Sequence, residues 1–567
     1  MYIERVPNRN SRPAILLREA WRDGKAIRKR TLANLTDWPA AKVEALRRVL
    51  HGEGLVAPEA LFTVERAVPH GHVAAILGTI RRLGLDTLIA AKRCRERDVV
   101  LALLVERLLH PCSKLATTRL WHTTTLAEEL AVGDTTEDDV YAAMDWLEAR
   151  QARIEQKLGQ RHLTEGARVF YDVSSSFYEG RTCPLAQFGH DRDGQHGLPI
   201  IVYGVLTDAA GRPVAIEVYP GDTGDSTTVP DQVEKLRERF GLSRVVLVGD
   251  RGMLTETQLA TLRQFPGVGW ISALRGPAIR ALVEQGSLQL SLFDAKNLAE
   301  ITAPEYPGER LIACFNPLLA EERRQKREAL LEATERAYAK IAREVARRRK
   351  TPLTAAEIGV KVGRVRDRFK VGKHFELTIA DGVFQWARRD EAIRGEAALD
   401  GLYVIRTSEP GAQLSAADTV RTYKNLAVVE RVFRCLKGID LRVRPIYHRI
   451  PPRVRAHFFL CLLAYYVEWH LRAALRPLLF EDEQLPQDRW TRDPVAPAQP
   501  SPATQRKKVQ RTTADGLPLH SFDTLLAALG TRCRTTCRMT ADPAAPRVQQ
   551  LTDLTPLQAR AMELLQL

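Results

Sequence analysis

Three acidic residues, Asp172, Asp250 and Glu430, occupy positions that solvation alone explains poorly. Asp172 sits among Val169, Phe170, Tyr171 and Val173, and an acid in such company is costly to bury unless it binds something. Asp250 follows the apolar run Arg244–Val248, at the kind of strand end where open α/β sheets collect ligands. Its plainer alternative is a turn or helix-capping role. Glu430 lies on a seam, with Leu426, Val429, Phe433 and Leu436 on one flank and Lys424, Arg431 and Arg434 on the other. The plainer alternative there is an i,i+4 pair with Arg434, worth about a few tenths of a kcal/mol. Brought together from separate elements, the three acids would hold two Mg²⁺ ions, hard cations that prefer oxygen ligands and keep several waters. Two such ions about 3.5–4 Å apart serve an in-line displacement at a phosphodiester. Mn²⁺ is the expected substitute.

The elements that must position these acids are legible in outline. Thr419–Gly438 reads as one helix, capped by Asp418 or Thr419 and stopped by Gly438, with Tyr423, Glu430 and Lys437 seven apart on one line. Arg168–Ser174, Ile200–Thr207 and Pro213–Tyr219 read as strands, followed by a helix over 228–240, the strand Arg244–Val248, a helix Thr255–Gln264 and a strand Gly267–Arg275. That order is ribonuclease H-like, with one acid in the first strand and another just past the fourth. The fold expected is therefore α/β, a ribonuclease H-like core interrupted by an inserted domain, with a mostly helical N-terminal region.

The domain boundaries follow from shifts in pattern. Residues 1–60 form a basic hairpin region around Asp23-Gly24, and 61–165 a helical, candidate DNA-end-binding domain. Residues 166–275 and 401–480 are the two parts of the core, the second carrying the Glu430 helix and an apolar helix Arg453–Leu479. Between them, 276–400 is read as the inserted domain, with a charge-laced helix Leu318–Lys350 that has 11 Lys/Arg against 6 Asp/Glu. Residues 481–567 are read as a linker and a helical tail.

A net charge of +15 and a pI near 9.5 point to a polyanionic partner. The longest apolar run, Phe458–Val467, is too short to span a bilayer, and no signal peptide opens the chain, so the expectation is nucleic acid in the cytoplasm and no membrane. The eight cysteines are scattered without a second close pair, which favours reduced thiols over a zinc site.

The ordered set resembles the DDE transposases of bacterial insertion sequences. YDVSSSFYEG surrounds Asp172 and VGDRGM surrounds Asp250. Tyr423, Leu426, Glu430 and Lys437 stand in the places of a Tyr-x2-Arg-x3-Glu-x6-Lys signature. Gly401–Thr407 (GLYVIRT), Arg444–His448 (RPIYH) and the stretch from Arg453 also fit, so the similarity runs from about residue 10 to residue 530. The resemblance implies that Asp172, Asp250 and Glu430 are the catalytic, metal-binding triad. Tyr423, Lys437, Arg431, Arg434 and Arg251 are the implied DNA contacts. The partners implied are double-stranded DNA, as transposon inverted-repeat ends and target, and a second copy of the chain in an active homodimer near the nucleoid. Two departures stand out: Leu426 replaces the signature Arg, and the loop Gly189–Leu198, with His190, Arg192 and His196, differs from the group's pattern. A related nuclease without strand transfer, or a transposase-derived DNA-binding protein that does not cut, are the alternatives.

Overall fold

A computed structural model describes all of the 567 residues except 10, 53–60, 290–292, 439 and 541–543. The boundary expected at residue 60 lies outside the described residues. The chain forms two compact units, Met1–Val68 with Cys533–Asp553, and Pro69–Arg532 with Leu554–Leu567.

In the first unit, Tyr2–Val6, Ala14–Asp23 and Ala26–Asn34 make an antiparallel sheet. The expected hairpin turns at Asp23-Gly24, where Gly24 takes the positive φ of 67° that a tight hairpin needs. A second sheet places Cys533–Met539 between Phe62–Pro69 and Val548–Leu551. The C-terminal region is thus not simply a helical tail: CRTTCRM, with two threonines and no apolar period of 3.6, is strand-like.

The second unit is built on an eight-stranded mixed sheet. In chain order its strands are β1 (Ala167–Phe177), β2 (Ile200–Thr207), β3 (Pro213–Pro220), β4 (Val245–Val248), β5 (Val268–Ala273), β6 (Leu298–Ile301), β7 (Arg310–Phe315) and β8 (Leu402–Thr407). Their spatial order is β6-β7-β8-β5-β4-β1-β2-β3. Strands β1, β4 and β5 run parallel, and the neighbours on both sides run antiparallel. All five strands expected between 166 and 275 are present. β6 and β7 fall inside the stretch read as leaving the α/β pattern at 276, yet they hydrogen-bond into this sheet. The chain leaves the sheet only at 317. β6 has four residues and β7 no alternation, so neither carried a strand signal of its own.

Residues 317–397 then pack around their own core. Pro317–Arg347, capped by Asn316, lies on Ala355–Phe369 and on the hairpin Phe375–Ala380/Val383–Arg388. Tyr338 is the centre, edge-on to Phe375 and Phe384 at 5.5 Å.

The sheet alternates between two cores. Val169, Tyr171, Val173, Val245 and Leu247 face one, while Phe170, Val246 and Val248 face the other, which is shared with the helices. That helical side contains Arg95–Leu109, Glu137–Glu148 and Gln151–His162. The last two part at Ala149-Arg150. Three later helices complete it: α1 (Ala416–Lys424), α2 (Ala427–Lys437) and α3 (Pro451–Leu475). By length and composition α3 and its extension to Leu478 would suit a bilayer, but the helix is the apolar centre of this core, with Val454 and Phe458 through Val467 buried.

Candidate active site

β1 and β4 fix the first two acids. Each paired residue of β1 faces one 78 positions on, from Ala167 with Val245 to Phe170 with Val248. Continued by two residues, that register brings Asp250, just past the end of β4, level with Asp172; alternation turns Asp172 toward the helical side, as Phe170 is turned, and Asp250 is close enough for its charge to act on it. Each carboxylate has one oxygen engaged: Asp172 Oδ1 accepts from the Val173 amide at 2.8 Å, and Asp250 Oδ1 from the Gly252 and Met253 amides at 2.9 and 2.8 Å. The capping alternative for Asp250 is thus realised on one oxygen, and the other remains open to a ligand.

Burial pushes the Asp172 carboxyl up to about 7, with the Val173 amide opposing and the Asp250 charge adding to the rise. Two half-buried acids, one in β1 and one just past the end of β4, repelling each other, form a site that a cation would relieve.

Glu430 reaches this level from above the sheet. Arg168 at the start of β1 donates to Thr422 Oγ1 at 3.0 Å. Further along, Phe433 packs edge-on against Tyr203, the cross-strand partner of Ser174, at 5.7 Å. Beyond it, Lys437 Nζ donates to Asp193, whose other oxygen accepts from the Phe177 amide. The α1–α2 segment therefore follows β1 from Arg168 to Phe177, and Glu430 falls beside the middle of the strand, where Asp172 stands. Tyr423 reports the same neighbourhood: burial, then Asp250, holds its hydroxyl up at about 12, with Arg251 opposing and Asp172 and Glu430 adding. Glu430 itself is exposed and, among the described residues, has no ion pair. The plainer alternative, a pair with Arg434, does not form, so among the described residues its carboxylate has no ion-pair partner.

The single helix expected over 419–438 is two. Asn425 and Leu426 form a tight turn, with Leu426 N on Tyr423 O at 3.0 Å, and Asn425 Nδ2 anchors the turn to Ala209 O at 2.7 Å. Leu426, in the place of a signature Arg, packs against the core from this turn. An apolar residue there is a packing choice, and no guanidinium replaces it at that position.

The expected DNA contacts separate into groups. Arg251 and Arg434 are exposed. Arg431 points away from the acids and pairs with Glu481 at 2.8 Å. Lys437 is engaged by Asp193. Asp193, which sequence reasoning did not single out, matters here, and so does the Arg192–Asp225 ion pair, whose two charges also act on Asp172. The density of charge in GHDRDG and GDTGDS was the available signal. His190 and His196 are exposed, and His196 lies 3.9 Å from Asp191.

Among the described residues, the acid and thiol groups whose ligand atoms lie within 4.8 Å of one another are Cys435, Asp440 and Glu468, a different cluster. Arg472 bonds both of its acids, at 2.9 Å to Asp440 and 2.5 Å to Glu468, and so supplies the positive charge a metal would bring. Asp172, Asp250 and Glu430 stand wider apart than such a cage. Their donor set, three carboxylates each with an uncommitted oxygen, fits hard divalent ions.

Residues 186–467, a little under half of the chain, match the family model for the transposase DDE domain. The match begins after Asp172 and takes in Asp250 and Glu430. No curated protein sequence matches the chain. Among solved structures, one similar chain is that of a piggyBac transposase synaptic complex with hairpin DNA, at 9% identity over 77% of this chain and 79% of that one. Its TM-score of 0.34 is too low to bear on the fold.

Proposed function

We propose that this chain, with its match to the transposase DDE domain, is a DNA transposase that cleaves transposon ends and joins the freed 3′-hydroxyls to target DNA. The observation that supports the proposal is the β1–β4 register, which continued by two residues brings Asp250 level with Asp172, with Glu430, unpaired among the described residues, on the helix that follows β1. The order β3-β2-β1-β4-β5 supports a ribonuclease H-like reading of the sheet, and the separate core of 317–397 supports reading that stretch as an insertion before the Glu430 helix.

In this reading Asp172, Asp250 and Glu430 would hold two Mg²⁺ ions, with Mn²⁺ as a substitute. Bound there, the ions would activate the attacking oxygen and stabilise the leaving one. In the first step water attacks the end phosphate and the 3′ oxygen leaves as a hydroxyl. In the second, that hydroxyl attacks a target phosphodiester, forming one P–O bond as another breaks and releasing a target 3′-hydroxyl. Tyr423, half-buried beside both aspartates, orients the end phosphate, and Arg251 and Arg434 supply exposed charge to the duplex. Joining two ends calls for two copies of the chain.

The test is nicking of a duplex carrying the terminal inverted repeat, with Mg²⁺ or Mn²⁺. Asp172→Asn, Asp250→Asn and Glu430→Gln should each bind the duplex as the parent does and lose cutting by about a thousandfold, the scale of losing core catalytic machinery. Equal cutting by any of the three variants would remove that residue from the triad. A parent that cuts and never joins would be a nuclease.

A further inference from the structure

The unit holding the sheet contains a cavity of about 830 Å³ that Asp172, Asp250 and Glu430 do not line. It opens between the start of β1, the far side of α2, the end of α3 and residues 480–490. Its walls combine Arg168, Arg431, Arg476 and Arg489 with Trp490 and Phe480.

The charge in it is unbalanced. Glu481 is shared by three guanidiniums, Arg431 at 2.8 Å, Arg472 at 3.1 Å and Arg476 at 3.9 Å. Arg489 has no carboxylate partner among the described residues. Burial first, then the neighbouring Arg431, Arg492 and Arg476 charges, lower its guanidinium to about 10. The cavity is lined by Glu165, Asp208, Glu481 and Asp482 against Arg168, Arg212, Arg431, Arg476, Arg489 and Lys508. An excess of guanidiniums, one of them without a carboxylate of its own, suits an anion, and their fork geometry suits phosphate. The aromatic walls add a second requirement. Arg168 sits 5.0 Å over the Trp490 ring, and Phe480 is left 40% exposed. Guanidinium and indole planes of this kind stack on nucleobases. The volume lies in the range of small-ligand sites.

We propose that this cavity binds a nucleotide, its phosphate against Arg489 and its base against the Trp490–Phe480 wall. The nucleotide is either free in solution or the 5′-phosphorylated terminus of a DNA strand, and the site is separate from the proposed cleavage centre.

The experiment is titration calorimetry of the full chain without divalent metal, using deoxyadenosine 5′-monophosphate, deoxyadenosine, inorganic phosphate and a short 5′-phosphorylated single strand. The monophosphate should bind at least tenfold more tightly than deoxyadenosine or inorganic phosphate. Arg489→Gln should weaken it at least tenfold, and Arg489→Lys by less. Because Arg489 is held among like charges, Arg489→Gln should also raise the thermal midpoint of the free protein, which loss of a structural arginine would not do. Competition by the 5′-phosphorylated strand assigns the terminal nucleotide as the source, and its absence assigns a free nucleotide. No binding, equal binding of inorganic phosphate, or binding unchanged by Arg489→Gln would overturn the proposal. Asp172→Asn should bind the monophosphate normally, so failure of the cleavage reading leaves this one standing.

Discussion

Lys437 donates from Nζ to one oxygen of Asp193 at 2.9 Å, while Arg444 holds the other at 3.0 Å. Asp193 is almost fully buried, so a single carboxylate ties the loop 189–198 both to the end of α2 and to the segment that follows it. The lysine expected as a DNA contact is therefore also a strut that sets the end of the Glu430 helix.

Asp193→Ala should cost about 3 kcal/mol, because it leaves two largely buried cations without their anion. Urea unfolding measures it. Adding Lys437→Met should recover part of the loss, since one stranded charge goes with it. A change within about 0.5 kcal/mol for the single variant, the usual effect of a surface substitution, would show that the pair is idle.

Asp172 makes stability depend on pH when divalent metal is absent. Its carboxyl titrates near 7 in the fold against an ordinary value of 3.8, so the folded chain keeps a proton that the unfolded chain has released. Between those values the unfolded state binds fewer protons, and stability falls as pH rises. Asp172→Asn should therefore raise the thermal midpoint in EDTA at pH 8 and change it far less at pH 4. Adding Mg²⁺ at pH 8 should raise the parent's midpoint more than the variant's.

Glu155 is fully buried and accepts from Gln151 Nε2 at 2.8 Å, the Ile216 amide at 3.1 Å and Arg239 Nη1 at 2.8 Å, with Lys235 at 3.5 Å. It fastens the helix Gln151–His162 to β3. Glu155→Ala should lose about 3–5 kcal/mol, because buried donors and cations are left unpaired. Chemical denaturation of the variant gives the number directly.

Gly204 in β2 has no room for a side chain: a Cβ would come within 2.2 Å of Tyr171 Oη. That hydroxyl is held by Thr228 at 2.9 Å and cannot step aside. Gly204→Ala should cost about 1–3 kcal/mol by overpacking, and Tyr171→Phe in the same chain should restore part of it. Equal midpoints for Gly204→Ala and the parent would show that the strand yields freely.

What the sequence revealed depended on how local the signal was. The strands around Asp172 and Asp250 were readable because Phe170, Val248 and their neighbours form apolar runs ended by turns. β6 and β7 were not, since their place depends on β8, some ninety residues on, as an antiparallel partner. The helix around Glu430 read as continuous because Asn425 and Leu426 are compatible with helix. The turn there is fixed by the Asn425 bond to Ala209, a contact 216 residues distant in sequence. The cationic cavity drew on Arg168, Arg431 and Arg489, whose convergence no spacing announces.

The parallel ladder has a consequence for recognising related chains. Asp172 and Asp250 each stand two residues beyond the last pair of the β1–β4 ladder, Phe170 with Val248, so the ladder and not the intervening loops sets them level. The hairpin and helical turns in between can lengthen or shorten without disturbing that alignment. An interval of 78 is thus a by-product of loop length. A search for kin should fix each acid's place relative to the end of the shared parallel ladder and leave the interval open.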